Sequence, residues 1–277
     1  MGESVLTAML DRRGGTLSCE GVALDVVAEA AGTPAYVYSS ASIREQYLRL
    51  EDALSGVRHK VHYSLKANAN PAVLRLLRSL GAGADVVSGG ELYRARRAGF
   101  APEEIVFGGV GKTRREIAEA LGAGIKLLNV ESEEELRVVD EAAAERGVRA
   151  PVALRINPEI TVGAFHAYTA TGERGRKFGI PYDEAHAAAR LAARLPHVAL
   201  IGLDMHVGSQ IAKVDAYERG VTRMLELLSA LREDGIDTLQ WLDIGGGLAV
   251  PYEDETPADL ESFGHIVRAA AARVRSH

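Results

Sequence analysis

Lys66 closes the run Val61-His62-Tyr63-Ser64-Leu65-Lys66-Ala67-Asn68, in which Val61, Tyr63 and Leu65 alternate with His62, Ser64 and Lys66. A lysine carried to the tip of a strand is a candidate nucleophile. Among apolar neighbours its ammonium would lose hydration, and the free amine could then form a Schiff base with a carbonyl. The solvated, structural alternative is a lysine that simply snorkels to water. Asp204-Met205-His206-Val207-Gly208-Ser209-Gln210 offers an imidazole able to lie against a flat aromatic ring and a hydroxyl able to donate to an anion. Asp204-x-His206 also resembles half of a metal site, but no second His/Asp/Glu pair at another strand end completes it, so no metal is expected. Asp243-Ile244-Gly245-Gly246-Gly247 places three glycines where backbone N–H groups can approach a phosphate, or where a tight turn is needed. The dinucleotide fingerprint fails, because Val250 stands where its third glycine is due. Asp85 and Glu91 supply carboxylates that could stabilise a protonated imine; equally, Asp85 could be a helix-end hydrogen bonder and Glu91 a first-turn acid.

These residues need a frame that gathers strand ends. Strands are predicted over 61–66, 84–88, 105–109, 126–130, 152–156, 201–206 and 240–244, each followed by a helical pattern. Asn70-Pro71 starts one helix, Thr113 with Glu116 and Ser132 with Glu135 form capping boxes, and Gly81, Gly99 and Gly147 stand at C-terminal caps. Seven β/α units of this kind predict a TIM-type (β/α)8 barrel lacking one unit, with a doubly wound open sheet as the competitor. In such a barrel the C-terminal strand ends form the reactive rim. Ahead of it, Ala35-Tyr36-Val37-Tyr38 is expected as a strand and Ser39 to Leu54 as a helix, while residues 1–34 suit small strands outside the barrel. The connection from Pro158 to Ile180 is long for a compact domain and follows the fifth strand, which puts it on the same rim.

Bulk properties narrow the partners. The 277 residues are 47% hydrophobic and 25% charged, with a net charge of -6, which disfavours nucleic acid and anionic membranes and leaves small molecules and further copies of the chain. A single cysteine, Cys19, allows no internal disulfide, and no leader or membrane-spanning apolar run is visible. A cytoplasmic setting is expected.

Taken together, Tyr63–Asn68, Ala84–Leu92, Arg155-Ile156-Asn157-Pro158, Lys177-Phe178-Gly179-Ile180, His206–Gln210 and Asp243–Gly247 make the chain resemble the alanine-racemase-like barrel decarboxylases that use pyridoxal 5'-phosphate. The resemblance runs from about Gly32 to the end. It implies that Lys66 binds the cofactor covalently, that His206 stacks on its ring, that Ser209, Gly245, Gly246 and Gly247 hold its phosphate, and that Asp85 tunes the site. Lys66 and His206 would be the catalytic pair. Asn157-Pro158, His166-Ala167-Tyr168, Thr171-Gly172 and Lys177–Ile180 point to the branch acting on meso-diaminopimelate rather than on ornithine, arginine or carboxynorspermidine, although Phe165 stands where the family has threonine. The family also implies an amino-acid substrate and a homodimer in the full-length form. Its Glu-Pro-Gly-Arg segment, its β-domain and that domain's cysteine proton donor are not found here. Residues 1–34 are accordingly expected to be the first strands of an otherwise missing β-domain, 35–277 an incomplete cofactor-binding barrel, and the activity of this chain doubtful; an inert barrel acting through protein contacts is the rival from another class.

Overall fold

The computed structural model describes residues 10–13, 15–160, 178–251 and 257–275. Strands β1 (Leu10–Arg13), β2 (Thr16–Cys19) and β3 (Val22–Ala23) form a small antiparallel sheet. They are followed by a helix that the sequence reading lacks, α1 (Leu24–Ala31). Leu24, Val27, Ala28 and Ala31 recur at helical spacing, and Gly32 ends the element with a left-handed φ of 79° and an N–H donated to Ala28 O. The expected strand at residues 35–38 does not form. Tyr36 is 91% exposed and Tyr38 57% exposed. Apolar residues favour an extended chain, but a strand also needs a partner, and none of the described residues supplies one.

Helix α2 (Ser40–Ala53), capped by Ser39, leads into the alternation of β4 (His62–Ser64), α3 (Pro71–Ser79), β5 (Gly83–Val86), α4 (Gly89–Ala98), β6 (Ile105–Phe107), α5 (Arg114–Ala123), β7 (Leu127–Val130), α6 (Glu133–Ala144) and β8 (Ala150–Asn157). Further along the chain come β9 (Ile180–Pro181), α7 (Ala185–Arg194), β10 (Val198–Asp204), α8 (Asp215–Glu233), β11 (Trp241–Asp243) and α9 (Leu260–Arg275). The parallel order is β11-β10-β8-β7-β6-β5-β4, which gives the seven predicted strands; β9 is an addition that pairs with the end of β8. Asn70 caps α3 by accepting the Ala72 N–H, with Pro71 at the first helical position. The Thr113–Glu116 box is complete, but that at Ser132 is only half formed: Ser132 accepts from Glu135 N–H, while the Glu135 carboxylate accepts from Glu131 N–H and Lys112. Gly81, Gly99 and Gly147 all have positive φ at helix ends, as expected.

Alternation along the strands divides the interior. Leu128 and Val130 of β7 face outward into the main core with the helices, beside Ile105, Phe107, Leu154 and Ile117. Val106, Leu127 and Ala153 form a separate, smaller cluster on the inner face. Parallel strands covered on both faces bury every residue of β6 and β7. The sheet curls strongly. Lys126 Nζ lies 3.6 Å from the Trp241 ring centroid, although their strands are separated by two others. The helical layer closes where the strands do not: Arg268 Nη1 of α9 donates to Ala53 O of α2 at 2.6 Å.

Candidate active site

One level of the barrel mouth gathers most of its charge. Ser64 is in register with Asp85, Arg155 with Asp204, and Asp204 with Asp243, so these side chains share the inner face. Glu131 follows Val130, the partner of Leu154, and therefore stands beside Arg155. Arg155 Nη1 meets Glu131 Oε1 at 2.8 Å, and Arg155 Nε lies 3.9 Å from Asp204 Oδ2. Burial, reinforced by Asp243 and opposed by Arg155, pushes the Asp204 carboxyl well above the usual range. Asp85 is likewise pushed up, to about 6, chiefly by burial and also by Asp243 and Glu91, against the Ser64 hydroxyl and Lys66. Ser64 Oγ makes no hydrogen bond of good geometry, so its hold on Asp85 is weak.

Lys66 lies in the turn just beyond β4 and is exposed. That corrects the expectation of an amine enclosed by apolar neighbours: the strand ends at Ser64, and the turn carries Lys66 out of the packed layer while Leu65 takes the buried place. Its charge still reaches both Asp85 and His206. His206 follows β10, and burial, with the positive charges of Arg155 and Lys66, holds its imidazole down to about 4. Its Nδ1 accepts a long hydrogen bond from Gly246 N–H, 3.4 Å.

The glycine run is shaped by close backbone approach. A Cβ on Gly245 would stand 2.5 Å from Met205 O, and one on Gly247 would collide with Gly208 O; both have positive φ. A Cβ on Gly246 would meet nothing within 4 Å, leaving that face open. Asp243 Oδ1 accepts from Gly245 N–H at 2.8 Å, and the buried Tyr217 hydroxyl donates to Gly246 O at 2.8 Å. Ser209 is exposed next to this loop. Glu91 belongs to the local frame, its carboxylate accepting from Val87 N–H at 2.9 Å. Asp85 is a half-buried strand residue rather than a helix-end bonder. No group of three or more His, Cys, Asp or Glu placed to hold a metal occurs among the described residues. His166, Tyr168, Thr171, Gly172, Lys177 and Phe165 lie outside the described residues.

Residues 40–277 match the profile of "Pyridoxal-dependent decarboxylase, pyridoxal binding domain". The chain belongs to that family. This pyridoxal-binding domain is 48% identical over 256 residues to the diaminopimelate decarboxylase of Pseudomonas aeruginosa, covering 92% of the chain and 61% of the relative. It is 43% identical to the diaminopimelate decarboxylase of Aquifex aeolicus over 90% of the chain and 59% of the relative. Its fold superposes on the diaminopimelate decarboxylase of M. jannaschii in co-complex with L-lysine with a TM-score of 0.88 and 33% identity, covering 97% of this chain and 63% of that one. The chain thus spans about three fifths of the length of the relatives it matches.

The pyridoxal-binding domain has a donor set suited to a phosphorylated aldehyde: an exposed primary amine, a neutral imidazole, an exposed hydroxyl and an open glycine turn at one mouth. Sequence reasoning left Glu131 and Tyr217 without a role. Glu131 stands one residue past its strand with no motif around it, and Tyr217 reaches Gly246 from a helix. Register counting along β7 and β8 would have exposed Glu131 as a neighbour of Arg155.

Proposed function

We propose that the protein decarboxylates meso-diaminopimelate to L-lysine, releasing carbon dioxide, and that this chain carries its pyridoxal 5'-phosphate site. The observation that carries this reading is the approach of Lys66, from the β4 edge of the sheet, to His206 after β10 and the Gly245–Gly247 turn after the opposite edge strand β11. The diaminopimelate decarboxylases at 40–48% identity support the substrate.

When bound, pyridoxal phosphate supplies an electron sink for the bond to the departing carboxylate. Lys66 would contribute the amine that holds the cofactor's aldehyde carbon. His206 is uncharged at neutral pH, so its ring can lie against an aromatic ring without setting a second cation beside a protonated pyridine. Ser209 Oγ–H and the Gly247 N–H would donate to the phosphate, joined by the Gly246 N–H in place of its long bond to His206, while Gly245, its own N–H held by Asp243, shapes the turn. Gly246 leaves room for the phosphate, and Tyr217 fixes the turn from behind. Asp85, beside Lys66, stabilises positive charge at that amine in its ionised form. The small antiparallel sheet of β1–β3, separate from the barrel sheet, is in this reading part of a second, β-rich domain, and the whole protein is a cytoplasmic homodimer.

The test is to incubate the chain with pyridoxal phosphate, reduce with borohydride and locate the adduct by peptide mass spectrometry. Labelling confined to Lys66 and lost in Lys66→Ala is expected; scattered labelling, or none, counts against the site. Release of carbon dioxide by the full-length protein from diaminopimelate, measured against ornithine, arginine and carboxynorspermidine, decides the substrate. Turnover of one of the other three alone would overturn it.

A further inference from the structure

Glu131 is buried, with a side chain 4% exposed, and both of its oxygens are engaged. Oε1 accepts from Arg155 Nη1 at 2.8 Å, and Oε2 accepts from the backbone N–H of Gly179 at 3.2 Å. Gly179 has φ of 76°, and a Cβ there would come within 3.0 Å of Arg155 O, so the chain returning to β9 is pressed onto the end of β8. Phe178 covers the other side of the guanidinium, its ring centroid 5.4 Å from Arg155 Cζ. A long flexible side chain is thereby held by a carboxylate, a ring and, at 3.9 Å, Asp204. The mouth around it is lined by Asp85, Glu131, Asp204 and Asp243, and its charge reaches both Asp204 and His206.

We infer that Glu131 is the positioning residue for Arg155, fixing the guanidinium across the mouth so that an acid-lined opening accepts an anionic, phosphorylated aldehyde. This rests on pyridoxal phosphate occupying the mouth. The sign of one substitution separates positioning from mere charge. If Glu131 acted only as a negative charge, Glu131→Gln would make an anion bind more tightly. If it positions Arg155, the same change releases the cation and weakens binding.

The experiment measures the pyridoxal phosphate concentration that half-labels Lys66, after borohydride reduction, in the unsubstituted chain, Glu131→Gln, Arg155→Gln and the double variant. Each single change is expected to raise that concentration about tenfold, and the double no further, because both remove one unit. Glu131→Asp, which keeps the charge one methylene short, should recover part of the loss. Unchanged or tighter labelling of Glu131→Gln, or additive losses in the double variant, would overturn the inference. A second readout needs no cofactor: by NMR, the Arg155 Nε–H and the Gly179 amide should exchange faster in Glu131→Gln, and unchanged exchange would also overturn it. Failure of the unsubstituted chain to label at Lys66 speaks against the cofactor site instead, and the exchange rates then decide the fate of the ion pair.

Discussion

On the β6–β7 flank of the barrel mouth, the side chain of Lys112 is fully buried and donates its three protons to Gly109 O at 2.8 Å, Asn129 O at 2.6 Å and Glu135 at 2.7 Å. On the β4 flank, Lys66 stands exposed in the turn after its strand. The same residue type at equivalent strand ends thus serves opposite ends. A lysine whose donors are all satisfied inside the protein is a fixed peg and has no proton or lone pair to offer a ligand. The lysine left in solvent keeps its amine available for chemistry. The β7–β8 side follows the first pattern, with Glu131 and Arg155 paired, while the exposed Ser209 follows the second.

The largest effect on stability should come from the saturated flank. Lys112→Met removes one partner of a buried pair and strands Glu135 and two carbonyls, at a cost of about 3 kcal/mol in chemical denaturation. A change below about 1 kcal/mol would show that the flanks do not differ in this way. Next is Gly247→Ala, which forces an alanine into left-handed backbone and against Gly208 O, costing about 1–3 kcal/mol or more. Gly246→Ala, with open space for its methyl, should leave the melting temperature nearly unchanged yet obstruct phosphate, so the pair separates folding from binding within three residues.

Acid titration offers a finer distinction. His206 has its folded pKa depressed to about 4, so the stability linked to it is present above pH 6.5 and lost as pH falls towards 4. Asp85 has its folded pKa raised to about 6, so its contribution is present below pH 3.8 and lost as pH rises through 6. The two slopes oppose one another between pH 4 and 6, each by up to about 1.4 kcal/mol per pH unit. Asp85→Asn should therefore steepen the loss of stability on acidification, and His206→Gln should flatten or reverse it; parallel curves for both variants would refute the assignment. The smallest effect is expected at the surface. Arg114 bridges Glu141 and Glu145 with its side chain 48% exposed, and Arg114→Ala should leave the melting temperature nearly unchanged despite two short contacts.

Legibility in the sequence followed the range of the interaction. The seven parallel strands, the Thr113 box and the cap at Asn70 were readable because alternation and capping depend on residues a few positions apart. The strand expected at 35–38 failed because pairing depends on a remote neighbour. The second half of the Ser132 box failed because Glu135 found Lys112, a long-range partner, and the Glu131 N–H. The candidate residues were legible as types and motifs, but the burial of each was not: Lys66 came out exposed in the turn after its strand and Asp85 half-buried within its own.

By itself, then, the sequence determined the order of the seven parallel strands and the chemistry available at the strand ends. Only the tertiary structure decided that Lys66 and the glycine turn, 179 positions apart from Lys66 to Gly245 and on opposite edges of the sheet, share one mouth. Local periodicity fixes which way a side chain points from its own strand. How far a sheet curls is set by its accumulated twist and by the packing of its outer helices, as where Arg268 of α9 meets Ala53 of α2, and that sum is written in no single segment.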